Sequence, residues 1–87
     1  MGDELTLKFG FQKGSIKSVA KLRMRSTTSF KTIFDFWYVR EGVEISSIGL
    51  YKFLSDGDRI QPEETPGGRG MEDGAQIDVF YEAEGGQ

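Results

Sequence analysis

Hydrophobic and polar residues alternate one for one near the start of the chain, which is the pattern of a half-buried β-strand. Apolar side chains occupy every second position of Leu5–Phe11, and the same alternation returns in Ser18–Arg25. A period of two places successive side chains on opposite faces of a sheet. Turn-forming residues at positions 12–15 separate the two runs. We therefore predict two strands joined as a β-hairpin.

The period of the apolar residues changes to that of an amphipathic helix after position 29. Serine and threonine residues at 26–29 are suited to cap the first turn, because their hydroxyl groups accept hydrogen bonds from free backbone N–H groups. Gly42 can adopt the left-handed conformation that often ends a helix. One helix ending at Glu41 or Gly42 is predicted, with a single apolar stripe made of Phe30, Ile33, Phe34, Trp37 and Tyr38.

The second half of the chain contains shorter elements separated by glycine, proline and acidic turn residues. We predict a strand at Gly49–Leu54, a short strand at 59–60 and a last strand at Gln76–Glu82. The helix-to-strand connection, Val43–Ile48, is expected to loop out. The predicted order is β-β-α-β-β-β, which is an α+β architecture. The domain is expected to span residues 5–82, between short tails at 1–4 and 83–87.

Composition argues against catalysis by this chain. Its 87 residues carry a net charge of −3 and are 37% hydrophobic, which is typical of one small globular domain. There is no cysteine and no histidine, so a thiol nucleophile, a disulfide and the commonest general base and metal ligand are all absent. We expect no enzyme activity, no cofactor and no metal site.

Charge and hydropathy also bear on the partners of the chain. Basic residues are few and the net charge is negative, so the electrostatic footprint of a nucleic-acid-binding protein is missing. No apolar run reaches the ~20 residues of a membrane span. The N-terminal segment has neither the basic nor the apolar region of a signal peptide. We expect a soluble nuclear and cytoplasmic monomer that binds neither nucleic acid nor membrane.

A Gly-Gly pair, Gly85-Gly86, is followed in the sequence by Gln87. Two residues without a Cβ can pass through a narrow enzyme channel that excludes larger side chains. If a protease removed Gln87, the carboxylate of Gly86 could be adenylated and passed to a thiol or an amine. The meaning of the pair depends on the kind of domain that precedes it.

Eight short motifs along the chain occur in a recognisable order. They are Thr27-Thr28, Phe53-Leu54, Asp56-Gly57, Arg59-Ile60, Thr65-Pro66, Met71-Glu72-Asp73-Gly74, Ile77-Asp78-Val79-Phe80 and Gly85-Gly86. With these motifs the chain resembles the small ubiquitin-like modifiers, the SUMO family, from about Leu5 to Gly86. The resemblance implies a β-grasp (ubiquitin-like) fold, in which a mixed sheet of four to five strands packs on one main helix.

The resemblance implies a protein modifier whose chemistry is carried out by partner enzymes. A SUMO-type protease would remove Gln87, an activating enzyme would adenylate Gly86, and a conjugating enzyme would transfer it to lysines of substrate proteins. The residues for processing and conjugation are then Gly85, Gly86 and Gln87. Glu84 departs from the family, which usually carries a small or neutral residue there.

The resemblance also implies a groove between the second strand and the helix, where SUMO proteins bind short apolar peptides with acidic flanks by strand addition. The residues that match this groove are Lys21, Leu22, Arg23 and Arg25 on the strand, and Ile33, Trp37 and Arg40 on the helix. The basic side chains of that strand could equally form a solvated face that protects a sheet edge from aggregation.

Two further departures from the family leave alternatives open. Phe36 and Val39 lie off the apolar stripe of the helix, where SUMO helices are more polar, and exposed apolar residues commonly mark an extra interface. Arg69 stands near a position where the family buries a leucine, so we expect its side chain to turn outward. The alternatives are a non-conjugated SUMO-like interaction module or engineered binding scaffold, and a sulphur-carrier β-grasp protein activated at Gly86.

Overall fold

The computed structural model describes residues 3–82 and shows the predicted order of elements with one additional short helix. The elements are β1 (Glu4–Lys13), β2 (Ile16–Arg25), α1 (Phe30–Glu41), a 3-10 helix (Ile45–Leu50), β3 (Tyr51–Ser55), β4 (Asp58–Arg59) and β5 (Gln76–Tyr81). The prediction of an α+β chain with the order β-β-α-β-β-β is confirmed.

The five strands form one mixed sheet in the order β2-β1-β5-β3-β4. β1 runs parallel to β5, and the other neighbouring strands are antiparallel. α1 packs on one face of this sheet, so the predicted β-grasp architecture is confirmed. β2 lies at one edge, and within residues 3–82 its outer side has no strand neighbour. A further strand could pair with that side.

The β1–β2 hairpin is longer than its apolar pattern indicates. Backbone pairing continues to Lys13 and Ile16, on either side of a tight turn in which Gly14 has a φ of 63°. β2 therefore begins at Ile16 rather than Ser18, because backbone pairing continues past the buried part of the strand to residues whose side chains are exposed. At the other end β1 includes Glu4, which pairs with Arg25 and had been assigned to the N-terminal tail.

The ends of α1 follow from its capping residues. The Ser29 hydroxyl accepts a hydrogen bond from the Thr32 N–H at 3.4 Å and caps the first turn. Gly42 has a φ of 72°, and the next N–H, of Val43, donates to the Tyr38 carbonyl at 2.9 Å. This left-handed cap ends the helix where the sequence predicts.

An aromatic cluster fills the core between α1 and the sheet. Phe34 stacks on Phe53 with ring centroids 3.9 Å apart. Trp37 is only 1% exposed and meets Phe11 and Tyr51 edge-on, each at a centroid distance of 5.4 Å. Aromatic pairs of this kind contribute about 0.5–1.5 kcal/mol each beyond the area they bury. The cluster therefore orients the helix on the sheet.

The prediction of a loop at Val43–Ile48 is wrong in part. Residues Ile45–Leu50 form a 3-10 helix, and β3 consequently begins at Tyr51 rather than Gly49. The segment contains serine and glycine and has no regular apolar period, so neither sequence signal marked it as helical. The remaining differences, at the end of β3, at β4 and at the end of β5, are shifts of one residue, which are common at the ends of elements.

The prediction that Arg69 turns outward is also wrong. Its side chain is only 18% exposed, and its Nη1 lies 2.9 Å from Glu64 Oε1. Because the guanidinium has a carboxylate partner close by, it can remain mostly covered by the chain. Pro66, three residues earlier, is fully buried and fills part of the core under this segment.

Candidate groove between β2 and α1

A groove of about 470 Å³ runs between the edge strand β2 and α1. Its wall is mainly apolar, with Leu22 and Met24 on the strand and Ile33, Phe36 and Val39 on the helix. Thr28, Arg23 and Arg40 complete its rim. Because β2 is an edge strand, the groove lies beside backbone groups that a bound strand could pair with.

Period-two alternation along β2 produces the strand wall. Leu22 and Met24 share the face of β2 that packs against the core, and both are partly buried. Ile33 is buried and reaches the groove from the inward side of α1. Phe36 and Val39 lie on the outer side of the helix and are 64% and 80% exposed. The groove is therefore apolar on both sides and open to solvent along the helix.

The arginines of β2 are already paired with carboxylates at the start of the chain. Arg23 Nη2 lies 3.0 Å from Glu4 Oε1, and Arg23 Nε donates to the same oxygen at 3.1 Å. Arg25 Nη1 lies 3.9 Å from Asp3 Oδ2. All four side chains are largely exposed, so these pairs are weak, within about 1 kcal/mol each.

The structure brings together only some of the residues predicted for the groove. Leu22, Arg23, Ile33 and Arg40 line it, but Lys21 and Arg25 are not among the lining residues. Trp37 is not at the groove either, because it is buried in the aromatic core. The prediction of Trp37 as a groove residue is wrong: helical spacing identified the inward stripe, and Trp37 lies at its centre.

Two lining residues, Met24 and Thr28, are missing from the sequence prediction. Met24 lies two positions after Leu22, and the same alternation therefore could have identified it. Thr28 lies in the turn between β2 and α1, for which no periodic signal exists. Phe36 and Val39 were predicted as a separate interface, but they form the helix side of the groove.

The conjugation residues Gly85, Gly86 and Gln87, together with Glu84, lie outside the described residues. The last described residue, Glu82, is bonded to residues of β3 and of the 3-10 helix before it. The Glu82 N–H donates to the Leu50 carbonyl at 2.8 Å, and Lys52 Nζ lies 2.7 Å from Glu82 Oε2. Glu82 therefore lies beside β3, which is separated from β2 in the sheet by β1 and β5.

Burial and local hydrogen bonds explain the shifted pKa values of three residues. Burial raises the pKa of Tyr38 and of Tyr51, which belong to the aromatic cluster. The pKa of Glu64 is lowered, first because the Gln61 N–H donates to its carboxylate at 2.8 Å and also because Arg69 lies beside it. None of these three residues lines the groove.

Two other kinds of site are absent from residues 3–82. That part of the chain contains no group of three or more carboxylate side chains placed to hold a metal ion. It also contains no helix long and apolar enough to cross a bilayer.

The arrangement of strands and helix is similar to that of a ubiquitin from Caldiarchaeum subterraneum. The TM-score is 0.79, and the likeness covers 95% of this chain and 99% of that chain at 14% sequence identity. At this identity the likeness shows the fold alone. The chain is a ubiquitin-like β-grasp protein.

Sequence comparison identifies the family within that fold. The family described as Ubiquitin-2 like Rad60 SUMO-like matches residues 11–80, and the chain belongs to this SUMO-like family. The ubiquitin-like protein pmt3/smt3 of Schizosaccharomyces pombe is 38% identical over 64 residues, which cover 74% of this chain and 52% of that protein. Small ubiquitin-related modifier 2 of Arabidopsis thaliana is 34% identical over 74 residues, which cover 85% of this chain and 69% of that protein.

The chain thus spans about half the length of the fission yeast relative and about two thirds of the plant relative. Both relatives carry the names of ubiquitin-like or modifier proteins rather than of enzymes. This agrees with the expectation that the chain is not an enzyme.

Proposed function

We propose that the chain is a SUMO-type modifier that is conjugated to substrate lysines through the carboxylate of Gly86. The supporting observation is the SUMO-like family match over residues 11–80, followed in the sequence by a Gly-Gly pair. Gly85 and Gly86 come four and five residues after Tyr81, the last residue of β5. A folded domain followed closely by two residues without side chains suits delivery of a carboxylate into a narrow active site.

The chain needs to supply only a carboxylate for this chemistry. The Gly86 carboxylate would attack the α-phosphate of ATP and release pyrophosphate, and a cysteine thiolate of the activating enzyme would then displace AMP. After transfer to a cysteine of the conjugating enzyme, a lysine amine would attack the thioester carbonyl and release the thiol. The absence of cysteine and histidine from the chain is compatible with this division of roles.

Intact-mass measurement tests the proposal in two steps. The chain is incubated first with a SUMO-type protease, and then with ATP and the activating and conjugating enzymes. We expect loss of the mass of Gln87, followed by an enzyme adduct that a thiol reductant releases. Gly86→Val should block both steps, because a β-branched side chain does not fit a channel made for glycine.

A chain ending at Gly86 separates processing from activation. If this chain forms no thioester, conjugation through Gly86 is wrong and the interaction module becomes the leading function. Glu84→Gln tests whether the negative charge beside Gly85-Gly86 slows processing, because a carboxylate that enters an enzyme channel must lose its hydrating water. We expect this variant to be processed faster than the unmodified chain.

A second function, non-covalent binding of short apolar peptides with acidic flanks, is favoured by the groove between β2 and α1. The groove combines a free strand edge with exposed Phe36 and Val39, and exposed apolar residues of this kind commonly mark a partner surface. The same observation supports the alternative of a non-conjugated interaction module or engineered scaffold. Conjugation assays distinguish that alternative, because it needs no reactive Gly86.

Titration with an apolar peptide carrying acidic flanks tests the groove. We expect Phe36→Ala to weaken binding several-fold, since large aromatic side chains dominate peptide interfaces. Phe80→Ala is the matched control, because Phe80 is also exposed, at 51%, but lies on β5 and outside the groove. Equal affinities for the two variants would remove Phe36 from the binding site.

Partners and assembly follow as further proposals. The partners would be a SUMO-type protease, activating and conjugating enzymes, substrate proteins and the peptides above, in the nucleus and cytoplasm. We propose a monomer, because pairing two β2 edges would bring Lys17, Lys21 and the two arginines of one strand against the same residues of another. A molar mass of one chain by light scattering would agree with this.

A further inference from the structure

We propose that the β2–α1 groove selects peptides by their apolar side chains and gains little from acidic flanks. This inference rests on the proposed peptide binding and narrows its ligand class. The preferred ligand is an extended peptide with apolar residues at alternate positions, whose flanks can be neutral. The reason lies in carboxylates that already stand beside the arginines that acidic flanks would use. Glu4 and Asp3 pair with the two arginines of β2, and Glu41 lies 4.0 Å from Arg40 at the rim of the groove.

Both arginine side chains of β2 are directed towards β1 by their ion pairs. Two nitrogens of Arg23 share one oxygen of Glu4, which belongs to β1, and Arg25 is paired with Asp3, just before β1. A peptide can add to β2 only on the side away from β1, because β1 occupies the other side. The two guanidinium groups are therefore drawn away from the edge where a ligand would bind.

A ligand carboxylate bound beside β2 would meet charges of both signs. A strand added to β2 lies about 5 Å from β2 and about 10 Å from β1. Charges about 10 Å apart still interact at an ionic strength of about 0.1 M. The carboxylate would thus be attracted by an arginine and repelled by the acid that pairs with it. Electrostatic gain from an acidic flank is consequently small.

Two lysines of β2, Lys17 and Lys21, have no carboxylate within 4.0 Å among residues 3–82. Only Lys21 is next to a groove residue, Leu22, so one lysine is placed to meet an acidic flank. A single exposed ion pair changes an equilibrium constant by about fivefold at most. An acidic flank is therefore expected to improve affinity by less than about fivefold.

Apolar contact would provide most of the affinity of the groove. Both sides of the groove are apolar, and Phe36 and Val39 extend the helix side outward into solvent. These side chains gain most when a ligand covers them, because they are the most exposed part of the wall. Apolar contact depends little on salt, in contrast to ion pairs. Binding should accordingly be nearly independent of ionic strength.

The experiment compares two peptides with the same apolar centre, one flanked by aspartate and glutamate and the other by serine and glycine. Calorimetric titration of the full chain gives the ratio of their dissociation constants at about 50 mM and about 500 mM salt. We expect a ratio below about fivefold for the unmodified chain, at both salt concentrations.

Glu4→Gln is the decisive variant. It frees Arg23 and removes one repelling charge, so the acidic peptide should bind about two- to fivefold more tightly while the neutral peptide is unchanged. Glu44→Gln makes the same change of net charge at an exposed residue after α1 that makes no capping hydrogen bond, and it should leave both affinities unchanged.

The outcomes separate this inference from the function on which it rests. If neither peptide binds, the groove function is wrong, and the inference is lost with it. If both bind but the ratio exceeds fivefold in the unmodified chain, or if Glu4→Gln leaves the ratio unchanged, the inference alone is overturned. A ratio that rises equally with Glu44→Gln would show a general charge effect and would also overturn it.

Discussion

The inward and outward sides of α1 both carry large apolar residues, but they differ in what covers them. Ile33, Phe34 and Trp37 are buried against the sheet, whereas Phe36 and Val39 remain mostly exposed. Burial of apolar surface on folding stabilises the inward residues, whereas the outward residues bury much less surface and gain less of that free energy. We infer that the inward side maintains the fold and that the outward side is available to a partner.

Replacing Trp37 gives the largest expected effect. Trp37→Ala should lower the free energy of unfolding by about 3–5 kcal/mol, because it leaves a cavity in the aromatic cluster. Small domains are stable by only about 5–15 kcal/mol, so the variant should be close to unfolded. Urea titration followed by circular dichroism measures the loss. A decrease below 1 kcal/mol would contradict the assignment of Trp37 to the core.

Ile33 tests the boundary between the two sides, because it is buried and also lines the groove. Ile33→Ala should lower the free energy of unfolding by about 2–4 kcal/mol through loss of buried methyl groups. Peptide affinity should fall as well, when it is titrated at a temperature where the variant is still folded. If Ile33→Ala keeps its affinity for the peptide, Ile33 belongs to the core and does not contribute to peptide binding.

A substitution at Gly42 tests the C-terminal cap of α1, which is common to both sides of the helix. Its φ of 72° is strained for any residue with a Cβ, although a Cβ there would meet no neighbouring atom within 4 Å. Gly42→Ala should therefore lower stability by about 1–2 kcal/mol through the backbone alone. Thermal unfolding measures this. Peptide affinity is expected to stay the same, and a parallel loss of affinity would mean that the cap also shapes the groove.

Replacing Phe36 should weaken peptide binding but hardly change stability, in contrast to replacing Trp37. Phe36→Ala is expected to change the free energy of unfolding by no more than about 0.5 kcal/mol, because the side chain is exposed in the free protein. The same variant should weaken peptide binding, as proposed above. Denaturant titration of Phe36→Ala beside Trp37→Ala makes the comparison direct. A large loss of stability would mean that the outward side is part of the fold.

Acid titration gives the smallest expected effect and concerns the loop over the start of α1. The Glu64 carbonyl accepts a hydrogen bond from the Phe30 N–H at 2.8 Å. The pKa of the Glu64 carboxylate is lowered in the folded state, so its stabilising effect is present above its ordinary pKa and is lost as pH falls through the lowered value. Glu64→Gln should flatten the acid limb of a plot of stability against pH. An unchanged acid limb would contradict this role.

Much of the fold could be predicted because its apolar residues repeat with the period of a strand or of a helix. Alternation identified the paired part of β1 and β2, and the stripe beginning at Phe30 together with Gly42 defined α1. The 3-10 helix at Ile45–Leu50 could not be predicted in this way, since its side chains follow neither period. The Arg69 side chain was predicted to turn outward because the sequence does not show that the folded loop brings it against Glu64.

The groove was harder to predict than the fold. Helical spacing distinguishes the inward from the outward side of α1, but it does not show which neighbouring strand lies beside each residue. Trp37 was consequently assigned to the groove, and Phe36 and Val39 to a separate interface. The position of β2 at the edge of the sheet resolves both, and that position is a property of the whole fold.

The buried position of Trp37 also has a practical consequence for spectroscopy. Trp37 is the one tryptophan of the chain, it is shielded from water, and it does not line the groove. Its fluorescence emission should shift to longer wavelength when the core opens and should change little when a peptide occupies the groove. The chain therefore carries its own optical reporter, one that records unfolding without interference from ligand.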